Sequence, residues 1–151
     1  MTKLRAGVVA LLIGAGVTGL GYGIAGAGAG ASGPTPLGPG LVTIDVGIEH
    51  SRFDVSAYRV RVGTLVRFVV TNHDPINHEF VVGDASVHAH HEHGTESSHP
   101  PVPGEVSVGP GERAVTVMRF DRAGHVTYAC HLPGHLAYGM VGEIEVVPIA
   151  G

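Results

Sequence analysis

Four side chains in this sequence have the types and spacing of a metal site. Cys130, His135 and Met140 follow one another at intervals of five in Tyr128-Ala129-Cys130-His131-Leu132-Pro133-Gly134-His135-Leu136-Ala137-Tyr138-Gly139-Met140, so one loop carries a thiolate, an imidazole and a thioether. Two imidazoles and a thiolate, with a weak thioether on the axis, suit copper, because sulfur donors are soft and imidazole binds both copper oxidation states. The other imidazole must come from elsewhere in the chain. Asn77-His78-Glu79-Phe80 offers His78 at the start of a strand whose Phe80 and Val82 face inward. A metal held between the geometric preferences of Cu(I) and Cu(II) changes oxidation state with little rearrangement, so such a site passes single electrons.

Taken singly, each ligand has a plainer reading. Cys130 is a core filler, His135 a surface loop residue, Met140 core packing and His78 a strand-end cap. The metal reading rests on all four standing in one order. Met118 makes the contrast, since it lies mid-strand without ligand spacing and reads as core.

The elements that must position these residues are strands. From Leu41 onward the dominant period is two, β-branched residues are enriched, and Gly63, Gly109 to Gly111 and Gly124 fall at turns. Strands are expected at Leu41 to Ile48, Tyr58 to Val62, Thr64 to Thr71, Glu79 to Val82, Glu105 to Val108, Arg113 to Phe120, His125 to Cys130 and Val141 to Val147. In the third of these Val66, Phe68 and Val70 share the core face; in the seventh Val126, Tyr128 and Cys130 do, which shields the thiol. Long helical patterning is missing, and the expected fold is an all-β, two-sheet antiparallel sandwich.

On these residues the chain resembles the cupredoxins, whose copper loop runs Cys, His, Met between the last two strands with the first His far upstream. Cys130-x4-His135 with Pro133-Gly134 before the His is similar to azurin, and His135-x4-Met140 has the Met spacing of plastocyanin. The resemblance covers about Leu41 to Val147. It implies a Greek-key β-sandwich holding one type 1 copper through His78, Cys130, His135 and axial Met140, and acting as a one-electron carrier rather than an enzyme. The partners so implied are redox proteins, docking on the patch of Leu132, Pro133, Leu136 and Tyr138 around His135.

Two positions depart from the family pattern. Many cupredoxins carry Asn or Ser after the first His; here that position is Glu79, which reads either as a solvated strand residue turned outward by alternation or, if near copper, as a carboxylate that favours the oxidised metal and lowers the potential. Ala129-Cys130-His131 is similar to the multicopper oxidases on one flank only, and copper nitrite reductases use two such domains, so neither activity is expected and His131 reads as a loop residue.

Between residues 84 and 103 runs a His-rich insertion with His88, His90, His91, His93 and His99. It is too polar for core. It reads either as a mobile, solvated loop or as a second, loose site for copper or zinc, with His88, His90 and His93 as the extra ligands. The second reading supports an alternative function, copper handling for tolerance, storage or delivery.

Composition bounds the rest. The chain has 151 residues, 11 His, 24 Gly, no Trp and one Cys, so no intramolecular disulfide forms. A formal net charge of -4 argues against a nucleic-acid partner. Lys3 and Arg5 precede an uncharged, Gly-diluted stretch from Ala6 to Ala31, the order of an export signal, with small-residue cleavage sites such as Ala25-Gly26-Ala27 and Ala29-Gly30-Ala31. Residues 1–31 are therefore expected to be a signal peptide or membrane anchor, 32–40 a Pro/Gly linker, and 41–151 the cupredoxin-like domain of a secreted, periplasmic or cell-envelope protein.

Overall fold

The structure is a computed structural model that describes residues 34–93, 98 and 100–149. The expected export segment and His99 lie outside the described residues. Among the described residues no helix is long and apolar enough to cross a membrane.

Nine strands among the described residues form two sheets. They are β1 (Gly40–Glu49), β2 (Arg52–Phe53), β3 (Ala57–Arg61), β4 (Thr64–Asn72), β5 (His78–Gly83), β6 (Glu105–Val108), β7 (Arg113–Phe120), β8 (Gly124–Ala129) and β9 (Val141–Val147). One sheet has the order β2-β1-β4-β7 and the other β3-β9-β8-β5-β6. Period-two alternation puts Ile44, Val46 and Ile48 of β1 and Val66, Phe68 and Val70 of β4 into the space between the sheets, and all six are buried. Phe80, Val82, Tyr128, Ile144 and Val146 come from the opposite sheet into the same core. Phe80 stands at the middle, its ring centroid 5.0 Å from Phe68, 5.6 Å from Phe53 and 5.4 Å from Tyr128. Tyr128 lies flat over Gly142, where an added Cβ would come within 2.1 Å of its ring; only glycine lets the aromatic pack there.

The sandwich is the one expected, with differences of detail. It is not antiparallel throughout, because β1 pairs with β4 and β3 with β9 in parallel. Alternation tells which face of a strand is buried but not its direction. β3 crosses to the second sheet between β1 and β4, and that excursion returns β4 alongside β1 in the same sense. The Pro-rich segment before β1 is also tied down: the Leu37 amide donates to the Arg59 carbonyl at 2.9 Å and its carbonyl accepts from Arg61 at 2.8 Å.

A further difference lies in the His-rich insertion. Its first part is a helix, α1 (Ala85–His93), where a loop or loose ligand tract is expected. Asp84 caps it, its Oδ1 accepting from the amides of Ser86 at 2.9 Å and Val87 at 3.2 Å. Histidine is a modest helix former and the segment carries no apolar stripe, so neither propensity nor periodicity announces this element. It packs beside β5.

Candidate metal centre

β5 opens with His78, and β8 ends at Ala129, directly before Cys130. The two strands pair antiparallel through Val81 and Ala129, which brings the first His and the thiol to one end of the sandwich. The Cys130 to Met140 loop is closed by backbone hydrogen bonds: Cys130 N–H donates to Met140 O at 3.1 Å, Met140 N–H to His135 O at 3.0 Å, and His135 N–H to Leu132 O at 3.0 Å. Gly134 and Gly139, both with φ of 88°, supply the left-handed turns this tight loop needs.

The outcome is a convergence of three donors. His78 Nδ1 lies 3.2 Å from His135 Nδ1, which lies 3.2 Å from Cys130 Sγ, and all three atoms are within 4.8 Å of one another. A first-row ion about 2 Å from each donor in a trigonal plane would set them roughly 3.5 Å apart. The two pairs at 3.2 Å therefore need to open by only a few tenths of an ångström. His78, Cys130 and Met140 are fully buried and His135 is half-buried, so one imidazole edge of the centre faces solvent. The donor set of two ring nitrogens and one sulfur is of the kind copper favours.

The orientation of His78 is set by a residue that sequence reasoning missed. His78 Nε2 lies 2.9 Å from Asp74 Oδ2, so its ring proton is held on Nε2 and Nδ1 offers a lone pair toward the centre. Asp74 in turn accepts the amides of His50 and Ser51, each at 2.7 Å. Burial works against the Asp74 carboxylate, yet those amides and His78 outweigh it and hold its pKa below the usual value. The four-residue spacing from Asp74 to His78 is visible in the chain, but nothing in it says that the intervening turn folds the carboxylate back. Burial is also the main cause that pushes the Cys130 thiol up to about 11, against the amides of Glu79 and Leu132 that favour the thiolate.

Of the two readings of Glu79, the solvated strand residue does not hold. Glu79 does turn away from the trigonal centre, but α1 covers that face and leaves it only 3% exposed. Its Oε1 accepts the His131 amide at 2.6 Å, which fastens the start of the copper loop to β5. The side chain of His131 is likewise no free loop residue. Its Nε2 lies 2.8 Å from His88 Nδ1, and burial together with the neighbouring His88 lowers its pKa, keeping the imidazole neutral. The structure does not bring His88, His90 and His93 to one point. His88 faces the sheet, whereas His90 is exposed and His93 Nδ1 donates back to the Ala89 carbonyl at 2.7 Å.

Residues 41–147 match the family model described as copper binding proteins, plastocyanin/azurin family. The chain belongs to that family. The copper-resistant cuproprotein CopI of Rubrivivax gelatinosus is 38% identical over 101 residues, which are 65% of this chain and 61% of that protein. CopI of Pseudomonas aeruginosa is 30% identical over 139 residues, covering 70% of this chain and 76% of that one. The chain thus spans about three fifths of the length of the first of these relatives. Among solved structures, reduced auracyanin from Roseiflexus castenholzii superposes with a TM-score of 0.60 at 21% identity, over 70% of this chain and 97% of the other. That likeness shows the cupredoxin fold, and the family match makes this a copper-binding cupredoxin.

Proposed function

We propose that this cupredoxin is an exported copper-tolerance protein that holds one type 1 copper through His78, Cys130, His135 and axial Met140. The observation that carries the reading is the convergence of His78 Nδ1 and Cys130 Sγ on His135 Nδ1, each 3.2 Å from it, with all three atoms within 4.8 Å at a buried sheet end. Relatives named for copper resistance move copper handling ahead of carriage. Bound copper supplies a one-electron couple. The protein's part is to fix the donors beforehand: Asp74 sets the tautomer of His78, the loop amides set the reach of His135, and the core keeps water from the thiolate.

The test is expression of the full chain in a copper-sensitive bacterium. Growth at raised copper is expected with the parent chain and lost with Cys130→Ser; equal growth of the two overturns the reading.

The second reading, a one-electron carrier, is favoured by the half-buried His135 set among Leu132, Pro133 and Leu136, with Tyr138 73% exposed beside them. Such a patch suits brief docking of a redox partner. It predicts fast reversible reduction with no copper passed to an acceptor such as a chelating peptide, whereas handling predicts that copper is passed on.

A further inference from the structure

Helix α1 poses a question that the trigonal centre does not answer. It is nine residues long, has no buried residue and has no apolar face. A helix of that length is marginal by itself, and helices usually owe their stability to an apolar face. Val87 packs on Gly83 of β5, where an added Cβ would come within 2.6 Å of it; apart from that and its Asp84 cap, its contacts to the sheet are imidazoles. His88 and His91, one turn apart, are its half-buried histidines; His88 lies over His131, and His91 over both His131 and Glu79.

The tautomers of these two rings follow from their outer partners. His88 Nε2 lies 3.3 Å from the Thr127 carbonyl and His91 Nε2 lies 3.0 Å from Glu105 Oε2. Each ring proton is thereby held on Nε2, and each Nδ1 is left facing inward with a lone pair. That is the arrangement Asp74 imposes on His78, and it is how metal-binding histidines are commonly oriented. Inward, His88 Nδ1 lies 2.8 Å from His131 Nε2, and His91 Nδ1 lies 3.8 Å from Glu79 Oε2. The His91 and His131 rings stack at 5.8 Å. With His88 Nδ1 accepting, His131 carries its proton on Nε2, and its buried Nδ1 has no partner among the described residues; moving that proton to Nδ1 frees Nε2 as a lone-pair donor beside His88 Nδ1.

We propose that His88, His91, His131 and Glu79 form a second metal site for a borderline divalent cation, Cu²⁺ or Zn²⁺, roofed by α1. Three imidazoles and one carboxylate suit such ions. Tetrahedral ligation at about 2.05 Å sets donors about 3.3 Å apart, and the two measured pairs straddle that value. Among the described residues only His78, Cys130 and His135 already have all donors within 4.8 Å of one another. Loading the second site therefore requires the α1 side chains to swing in, which a helix held by few apolar contacts permits. The site differs from the His88, His90, His93 set expected from spacing alone, and it stands apart from the trigonal centre.

The experiment is calorimetric titration of Zn²⁺ into the full chain after one equivalent of copper has been bound, repeated with Cu²⁺ to decide which ion is preferred. The parent is expected to take up one further ion. Losing an outer partner of a metal site already costs ten- to a hundredfold in affinity, so the H88A/H91A double variant, which removes two ligands, is expected to weaken that binding by at least about tenfold. H90A/H93A, on the solvent side of the same helix, is expected to change it by less than about twofold. Equal weakening by both pairs would mean diffuse binding along the His-rich tract and would overturn the proposal, as would parent-like binding by H88A/H91A. The thiolate-to-copper colour of H88A/H91A serves as the fold control: its retention shows that a lost second ion is not a lost trigonal centre.

Discussion

Two adjacent dipeptides, His78-Glu79 and Cys130-His131, send their side chains to opposite sides of one sheet. His78 and Cys130 enter the trigonal centre, where the partners are a strand end, a loop closed by backbone hydrogen bonds and a buried aspartate. Glu79 and His131 enter a cluster whose other wall is a short helix without buried residues. The same alternation that gives a strand its two faces thus gives this protein two donor sets a single residue apart. The first is held by the sandwich core and is rigid before metal arrives. The second is held by polar contacts and closes only as its ligands swing in.

The largest expected effect falls on the rigid side. Cys130→Ser removes the only soft equatorial donor, and the intense thiolate-to-Cu(II) absorption is expected to vanish, leaving the pale colour of nitrogen and oxygen ligation. An optical spectrum of copper-loaded protein checks this, and a variant that keeps the colour would place the copper elsewhere. Asp74→Ala comes next. It strands His78 Nε2 and the amides of His50 and Ser51, and an unsatisfied buried polar group costs about 1–3 kcal/mol, a fall of several degrees in the melting temperature of the copper-free protein. Copper affinity is expected to fall about ten- to a hundredfold with it. The pH dependence has a defined sign. Asp74 has a folded pKa depressed below its ordinary 3.8, so its stabilisation is full above that value and is lost as pH falls through the folded one. The stability gap between parent and variant should close in strong acid and stay constant near neutrality.

Gly142→Ala probes the support of the rigid side from within the core. The added Cβ would stand 2.1 Å from Tyr128, two residues before Cys130, and neither the ring nor β9 has room to retreat. Overpacking of this kind costs typically about 1–3 kcal/mol. Denaturant unfolding of the copper-free variant measures it, and a parent-like midpoint would show that the Tyr128 layer is softer than the packing implies.

Most of the rigid side was legible in the chain. Its strands repeat with period two, three of them begin and end where alternation begins and ends, and the Cys130, His135, Met140 order carries chemistry that core filling does not explain. What stayed hidden depends on contacts between distant segments. Asp74 reads as a turn residue until the His50-Ser51 turn closes over it. Glu79 reads as solvated because alternation reports which way a side chain points, not what lies there, and what lies there is α1. That helix was itself invisible, since a run of histidines has neither strong propensity nor an apolar stripe. His131 shared the same fate: its partner His88 is 43 residues away in sequence.

Glu79→Gln is the smallest change and the sharpest test of how far the two sides communicate. The side-chain amide oxygen introduced by this substitution can still accept from the His131 amide, so the loop anchor at 2.6 Å is conserved and the trigonal donors should stay in place. What is lost is a carboxylate one residue from each of two donors. A negative charge near the centre favours the oxidised metal, so its removal is expected to raise the copper reduction potential. A charge several ångströms off at an effective dielectric near 20 is worth on the order of 1 kcal/mol, or tens of millivolts. Potentiometric titration of the copper-loaded pair reads this directly, with unchanged absorption as the sign that the geometry has not moved. An unchanged potential would mean that the charge of Glu79 is screened before it reaches the centre, and the two faces of the sheet would then be electrostatically independent.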